Sequence, residues 1–289
     1  MKEHFFKPQN EAAEIKKMSE KEPNFISTRL LKALSGLKQV TVTGEIVEEG
    51  AYIWGVDDRK KGEGIFNHVL LTSRVAYYLA KSLQERAPDK YSQLNLRSVV
   101  EGAILHDITK LYGEDRERLP AEIKKDLGVR EDMTEIDEQT DEVGVSWLKK
   151  LDFPPEVTKV IQGHDFPKKI VDDQYWKIVL VADYMTGQRV MTIDERLRDI
   201  KTRWIDERIT KGEEPRISSE RFSLAKENIK QVAQELFGAL GTSDKDFIES
   251  NKLDDKVSET RWEKFLRSTR VTSKEMRAAK LVEHFVDKK

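Results

Sequence analysis

The sequence predicts a mainly α-helical protein: a helical bundle core, a small β-containing segment before it and a helical extension after it. Three observations predict this. From Ile65 to about Gln188, apolar residues recur at spacings of three and four, the period of a helix with one buried face. β-Branched residues, threonines and turn glycines gather only over residues 40–54. Beyond Asp194 the chain becomes strongly charged but keeps a helical apolar stripe. These shifts divide the 289 residues into 1–63, 64–193 and 194–289.

Residues 1–35 are polar, with a short helical stretch around Ile26 to Leu34. Val40, Val42, Ile46, Val47, Tyr52, Ile53 and Trp54, with Gly44 and Gly50 at the turns, read as a β-hairpin followed by the charged loop 57–64. Ile65, Val69, Thr72, Val75, Ala76, Leu79 and Leu83 mark the first core helix, and Val100, Ala103, Ile104, Ile108 and Leu111 the second. Val143, Trp147, Leu148 and Leu151 mark a third. Pro154-Pro155 open a short fourth with Val157, Val160 and Ile161, since proline suits a first helical turn. Trp176, Val179, Leu180 and Ala182 mark a fifth. A charged helix then runs from Asp194 to about Ile209. After it, Phe222, Ala225, Ile229, Val232, Leu236 and Leu240 line an amphipathic helix that Gly241 ends, and further helices follow toward Lys289. The C-terminal stripe either covers the core or builds a homodimer.

Composition excludes several functions. The formal charge of −2 gives no whole-chain attraction to nucleic acid or anionic membrane. The absence of cysteine removes disulfides, thiolate metal sites and a cysteine nucleophile. No apolar run approaches the roughly 20 residues of a membrane helix. Met1-Lys2-Glu3-His4-Phe5-Phe6 has no apolar stretch behind it, so the expected location is the cytoplasm.

Five polar residues occupy positions where the helical pattern asks for apolar ones. His68 lies three after Ile65 and four before Thr72; Asp107 lies three after Ile104 and four before Leu111; His106 aligns with Ala103. His164 follows Val160 and Ile161, and Asp183 follows Val179 and Leu180, at four- and three-residue steps. A lone histidine of this kind is usually a hydrogen-bonded core residue. Two buried carboxylates need compensation, and a divalent cation would neutralise both while accepting imidazole nitrogens.

The order His68, His106-Asp107, Asp183 resembles the H…HD…D signature of the HD-domain superfamily of metal-dependent phosphohydrolases. Phe66-Asn67-His68-Val69-Leu70, Ile104-Leu105-His106-Asp107-Ile108-Thr109-Lys110 and Val181-Ala182-Asp183-Tyr184 resemble the blocks around its ligands. The resemblance covers roughly residues 64–190. It implies an all-α core with His68, His106, Asp107 and Asp183 around one divalent metal ion. It further implies hydrolysis of a phosphoester or nucleotide phosphate by a metal-bound water, with Asp107 catalytic as well as ligating. Nitrogen and oxygen donors suit manganese, iron, cobalt, nickel or zinc, and magnesium less well.

Members with an HDIG-like helix carry two further histidines that bind a second metal. Thr140 of Thr140-Asp141-Glu142-Val143-Gly144 stands where the first would be, and His164 matches the next. The second site is therefore short of a ligand, and His164 is expected to bind a weaker second ion, contact the leaving group or donate a proton. Lys110, one turn beyond His106 and Asp107, is the candidate phosphate-binding residue. Arg74, Arg116 and Arg189 are weaker candidates and read first as surface residues. The resemblance also allows a di-iron oxygenase, which would need the complete two-metal set, or a nucleotide-binding regulator that keeps the metal without turnover.

Overall fold

The computed structural model describes residues 39–40, 46–48, 64–107, 144–146, 148–149, 152–164, 166–187 and 189–254. Strands β1 (Gln39–Val40) and β2 (Ile46–Glu48) pair antiparallel, with Gln39 opposite Glu48 and Val40 opposite Ile46. One step along β1 matches two along β2, so the hairpin carries a bulge.

The helical core starts with α1 (Gly64–Arg86), which buries Val69, Thr72, Val75, Ala76, Leu79 and Leu83 as its spacing predicts. A short α2 (Pro88–Tyr91) opens on proline and turns the chain into α3 (Leu96–Leu105). The Asn95 side chain accepts the free amides of Arg97 and Ser98 and so fixes where α3 begins. Residues 144–146 and 148–149 are again helical. Then come α4 (Pro155–Ile161) and α5 (Gln174–Asp183), the latter capped by Asp173 on the Trp176 amide. Every residue from Ser98 to Leu105 and from Trp176 to Asp183 is buried. Helices α3 and α5 are therefore central, and α1 and α4 pack around them. The Trp176 indole donates to the Gln162 carbonyl at 2.8 Å, tying α5 to the end of α4.

The charged helix forms in three continuous pieces: α6 (Ile193–Lys201), a π-helical turn over Thr202–Asp206, and α7 (Glu207–Thr210). Thr192 and Glu195 start it with a reciprocal capping box. Helix α8 (Ser219–Leu240) ends at Gly241, whose φ of 63° suits glycine, and α9 (Asp244–Asn251) follows. The predicted stripe of α8 is packed inward: Phe222, Ala225, Ile229, Val232, Leu236 and Leu240 share one apolar cluster with Val75, Leu79, Val179 and Leu180. The C-terminal helices thus complete the core that α1 and α5 begin.

Arg74 is not a surface residue. It is about 1% exposed, and its guanidinium donates to the Leu253 carbonyl beyond α9. Its carrier, α1, is covered on that side by the C-terminal segment, which a reading of α1 alone does not reveal.

On the outside of the junction between α5 and α8, Lys177 binds Asp172 at 3.0 Å and Glu235 at 3.0 Å, and Glu235 also takes Lys90 at 2.6 Å. Partial burial pushes the Glu235 carboxyl up, but its bonds from Lys90 and Lys177 outweigh this and hold it below its ordinary value of 4.5. A carboxyl depressed by folding stabilises the fold above its unfolded pKa, and that contribution is lost as pH falls through the lower folded value. Glu235→Gln should therefore cost about 1 kcal/mol at neutral pH after solvent screening. It should cost less and less below pH 4.5, which denaturant melts across that window would measure.

Candidate metal centre

The five polar residues meet at one place. His68 projects from the first turns of α1, His106 and Asp107 follow the last turn of α3, His164 follows α4, and Asp183 closes α5. All five are buried, none more than 7% exposed. His68 Nε2 lies 2.9 Å from Asp183 Oδ1 and 3.5 Å from Asp107 Oδ2. His106 Nε2 lies 3.5 Å from Asp183 Oδ1 and 3.6 Å from Asp107 Oδ1. His164 Nε2 lies 3.3 Å from Asp107 Oδ1. The rings of His68, His106 and His164 pack edge to face, with centroids 5.3 and 5.1 Å apart.

Helix ends, rather than mid-helix stripes, present His106, Asp107 and His164, and Asp183 is the last residue of α5. Helix α3 stops at Leu105, whereas the apolar spacing runs on toward Leu111. The cause is local: His106 Nδ1 sits 2.8 Å from the Ala103 carbonyl, the acceptor that a continuing helix would offer to the Asp107 amide. The same device recurs after α4, where His164 Nδ1 lies 2.9 Å from the Ile161 carbonyl. A carbonyl can only accept, so in both rings Nδ1 carries the proton and Nε2 is turned toward the carboxylates.

Two hydroxyls that helical periodicity does not single out brace the site. Thr72 donates to the His68 carbonyl at 2.8 Å and meets the Thr186 hydroxyl at 2.7 Å. Thr186 also stands 3.1 and 3.0 Å from the Ala182 and Asp183 carbonyls. Both threonines are fully buried, so the turns bearing His68 and Asp183 are held together by side chains. The only signal of this in the sequence is a threonine inside the apolar stripe of α1. Gly102 does comparable work between α3 and α4: a Cβ there would stand 3.0 Å from Val160 Cγ2, so glycine lets the two histidine-bearing helix ends approach.

The donor set fits a cation. Nε2 of His106 and both ring nitrogens of His68 are buried with no hydrogen-bond partner. The 2.9 Å approach of His68 Nε2 to Asp183 therefore lacks hydrogen-bond alignment, as expected where two lone pairs face a common point. Metal bonds of about 2.0–2.2 Å place neighbouring ligands about 3.0–3.4 Å apart. The imidazole–carboxylate pairs of His68 and His106 with Asp107 and Asp183 stand 2.9 to 3.6 Å apart, and donor atoms of His68, His106 and Asp107 all lie within 4.8 Å of one another. Burial lowers the pKa of His68 despite the raising effect of Asp183, keeping the neutral ring that a metal ligand requires. Burial alone would raise Asp183, but His106 and His68 outweigh it and hold its carboxyl well below the usual range. Lys110 and Thr140 lie outside the described residues, and Arg189, which is described, is exposed on the loop after Asp183.

The family model for the HD domain matches residues 65–201, which take in all five of these side chains. No curated protein and no solved structure matches the chain. No helix among the described residues is long and apolar enough to cross a membrane. The helical core, the buried His68, His106 and Asp107 cluster and the family match agree, and residues 65–201 of this chain fit the HD-domain superfamily.

Proposed function

We propose that this protein is a metal-dependent phosphohydrolase that cleaves a phosphoester or nucleotide phosphate. One observation carries the reading: buried imidazole nitrogens without hydrogen-bond partners converge on two buried carboxylates. His68, His106, Asp107 and Asp183 would hold one divalent cation, with manganese, iron, cobalt, nickel and zinc suited to the donors and magnesium less so. When bound, such an ion supplies Lewis acidity toward a phosphoryl oxygen and toward water. Asp107 orients His164 as well as ligating, since its Oδ1 faces His164 Nε2 at 3.3 Å. His164 Nδ1 already faces a carbonyl, so both of its nitrogens meet acceptors. We assign the proton on Nε2 to the leaving-group oxygen. Lys110, one turn further along the chain, would bind the substrate phosphate.

Metal analysis of the purified protein should find one ion per chain; two per chain would move His164 from proton donor to second-ion ligand. Nucleotides, dinucleotides and phosphomonoesters assayed with each of the five metals should yield product in a reaction that chelation stops and metal restores. Turnover indifferent to chelation, or a chain that retains none of the five metals, would end the reading.

A further inference from the structure

We propose that the C-terminal helices position His164, by clamping the Phe166–Pro167 segment through Trp204, Phe222 and Asn228. The role of His164 in hydrolysis rests on the reading above; its dependence on the clamp does not.

Phe166 has a φ of 49°, in the left-handed region that bulky side chains avoid. It also precedes Pro167, and a residue before proline is driven toward extended backbone. Left to itself, this position would leave the left-handed region, and the chain direction two residues after His164 would change with it. Contacts from distant parts of the chain prevent this. The Phe166 amide donates to the Tyr184 hydroxyl at 3.3 Å, next to Asp183. Its ring is buried, with centroids 5.2 Å from Trp204 in the π-helical turn and 6.4 Å from Phe222 on α8. Asn228, also on α8, donates to the Pro167 carbonyl at 2.8 Å.

His164 is thus held from two directions. The Ile161 carbonyl fixes its ring from the α4 side, and, two residues on, the clamp fixes Phe166 and Pro167. A strained conformation persists only where its surroundings over-determine it, and here those surroundings come largely from beyond Asp194. This gives the C-terminal helices a task besides closing the core: they set where His164 Nε2 lies relative to Asp107.

The test is the histidine ring spectrum of the full-length protein by NMR, with and without diamagnetic zinc, alongside metal content and turnover. Asn228→Ala and Trp204→Ala should shift the His164 ring resonances most and those of His106, whose ring packs against it, less, while those of His68 stay in place. Trp204→Phe, which keeps an aromatic ring against Phe166, should restore the wild-type spectrum. Lys230→Ala, which removes only the ion pair from α8 to Asp194, should change nothing. With metal content intact, kcat should fall by about 10²-fold in Asn228→Ala, the scale of a misplacement of about 1 Å. His164 signals coinciding with wild type in Asn228→Ala, or all three histidines shifting by equal amounts, would overturn the clamp. Should Trp204→Ala not fold, Asn228→Ala decides alone. Shifted His164 signals in a protein that hydrolyses nothing would leave the clamp standing and end the hydrolase reading; unmoved signals in an active enzyme would do the reverse.

Discussion

Asp107→Ala should release the metal and lower turnover by about 10³-fold or more, the worth of several kcal/mol of Lewis-acid stabilisation. The residue faces three imidazoles, at 3.3 to 3.6 Å from His164, His68 and His106, so no neighbour can take over its place. The isosteric Asp107→Asn separates metal binding from packing. It keeps the shape and an acceptor for His164, but removes one of two buried negative charges. Without metal, relief of repulsion toward Asp183 and loss of the charge opposite His164 oppose each other, so Asn should leave the melting temperature close to wild type. With metal at a hundredfold excess over Kd, wild type should gain about 2.7 kcal/mol and the variant almost none. Metal content after gel filtration and paired melts with and without manganese give the comparison. Wild-type turnover in Asp107→Ala would remove Asp107 from the centre of the mechanism.

The site is legible in the sequence because helices repeat. A polar residue that interrupts an apolar stripe, as His68 interrupts Ile65 to Thr72, declares its burial by its position alone. The same logic places Asp183 at the end of the stripe of Trp176, Val179 and Leu180. Periodicity is blind to what ends a helix. The spacing from Val100 carries on to Leu111, but the ring of His106 takes the Ala103 carbonyl and α3 stops. It is also blind to partners far along the chain. Arg74 reads as solvated because charge usually is, yet its guanidinium meets the Leu253 carbonyl. The stripe of α8 is legible, but its choice between covering the core and joining a second copy lies in residues such as Val75 and Leu79. The left-handed Phe166 leaves no trace, since nothing in Phe-Pro announces a positive φ; Tyr184, Trp204, Phe222 and Asn228 explain it.

Gly102→Val should be the most damaging small substitution away from the ligands. The residue lies in the middle of α3, where glycine normally costs a helix about 1 kcal/mol relative to alanine, so something else requires it there. That requirement is the approach of α4: a bare Cβ would already sit 3.0 Å from Val160 Cγ2, and the methyls of valine would add to the clash. Both helices are buried at this point and Val160 is β-branched, so neither side chain can turn aside. Overpacking of this kind costs about 1–3 kcal/mol, which outweighs the gain in helix propensity. The damage should also reach the metal centre, because α3 leads directly into His106-Asp107 and α4 into His164. Forcing the helices apart would lengthen the 3.3 Å contact between Asp107 and His164. Val160→Ala removes the opposing methyls and alone should cost about 1–2 kcal/mol through its cavity. Combined, the two changes should be less harmful than their sum, with a coupling of at least about 1 kcal/mol, as for residues in direct contact. Denaturant melts of the four proteins complete the cycle. Strict additivity would show that Gly102 is not there to let α4 approach.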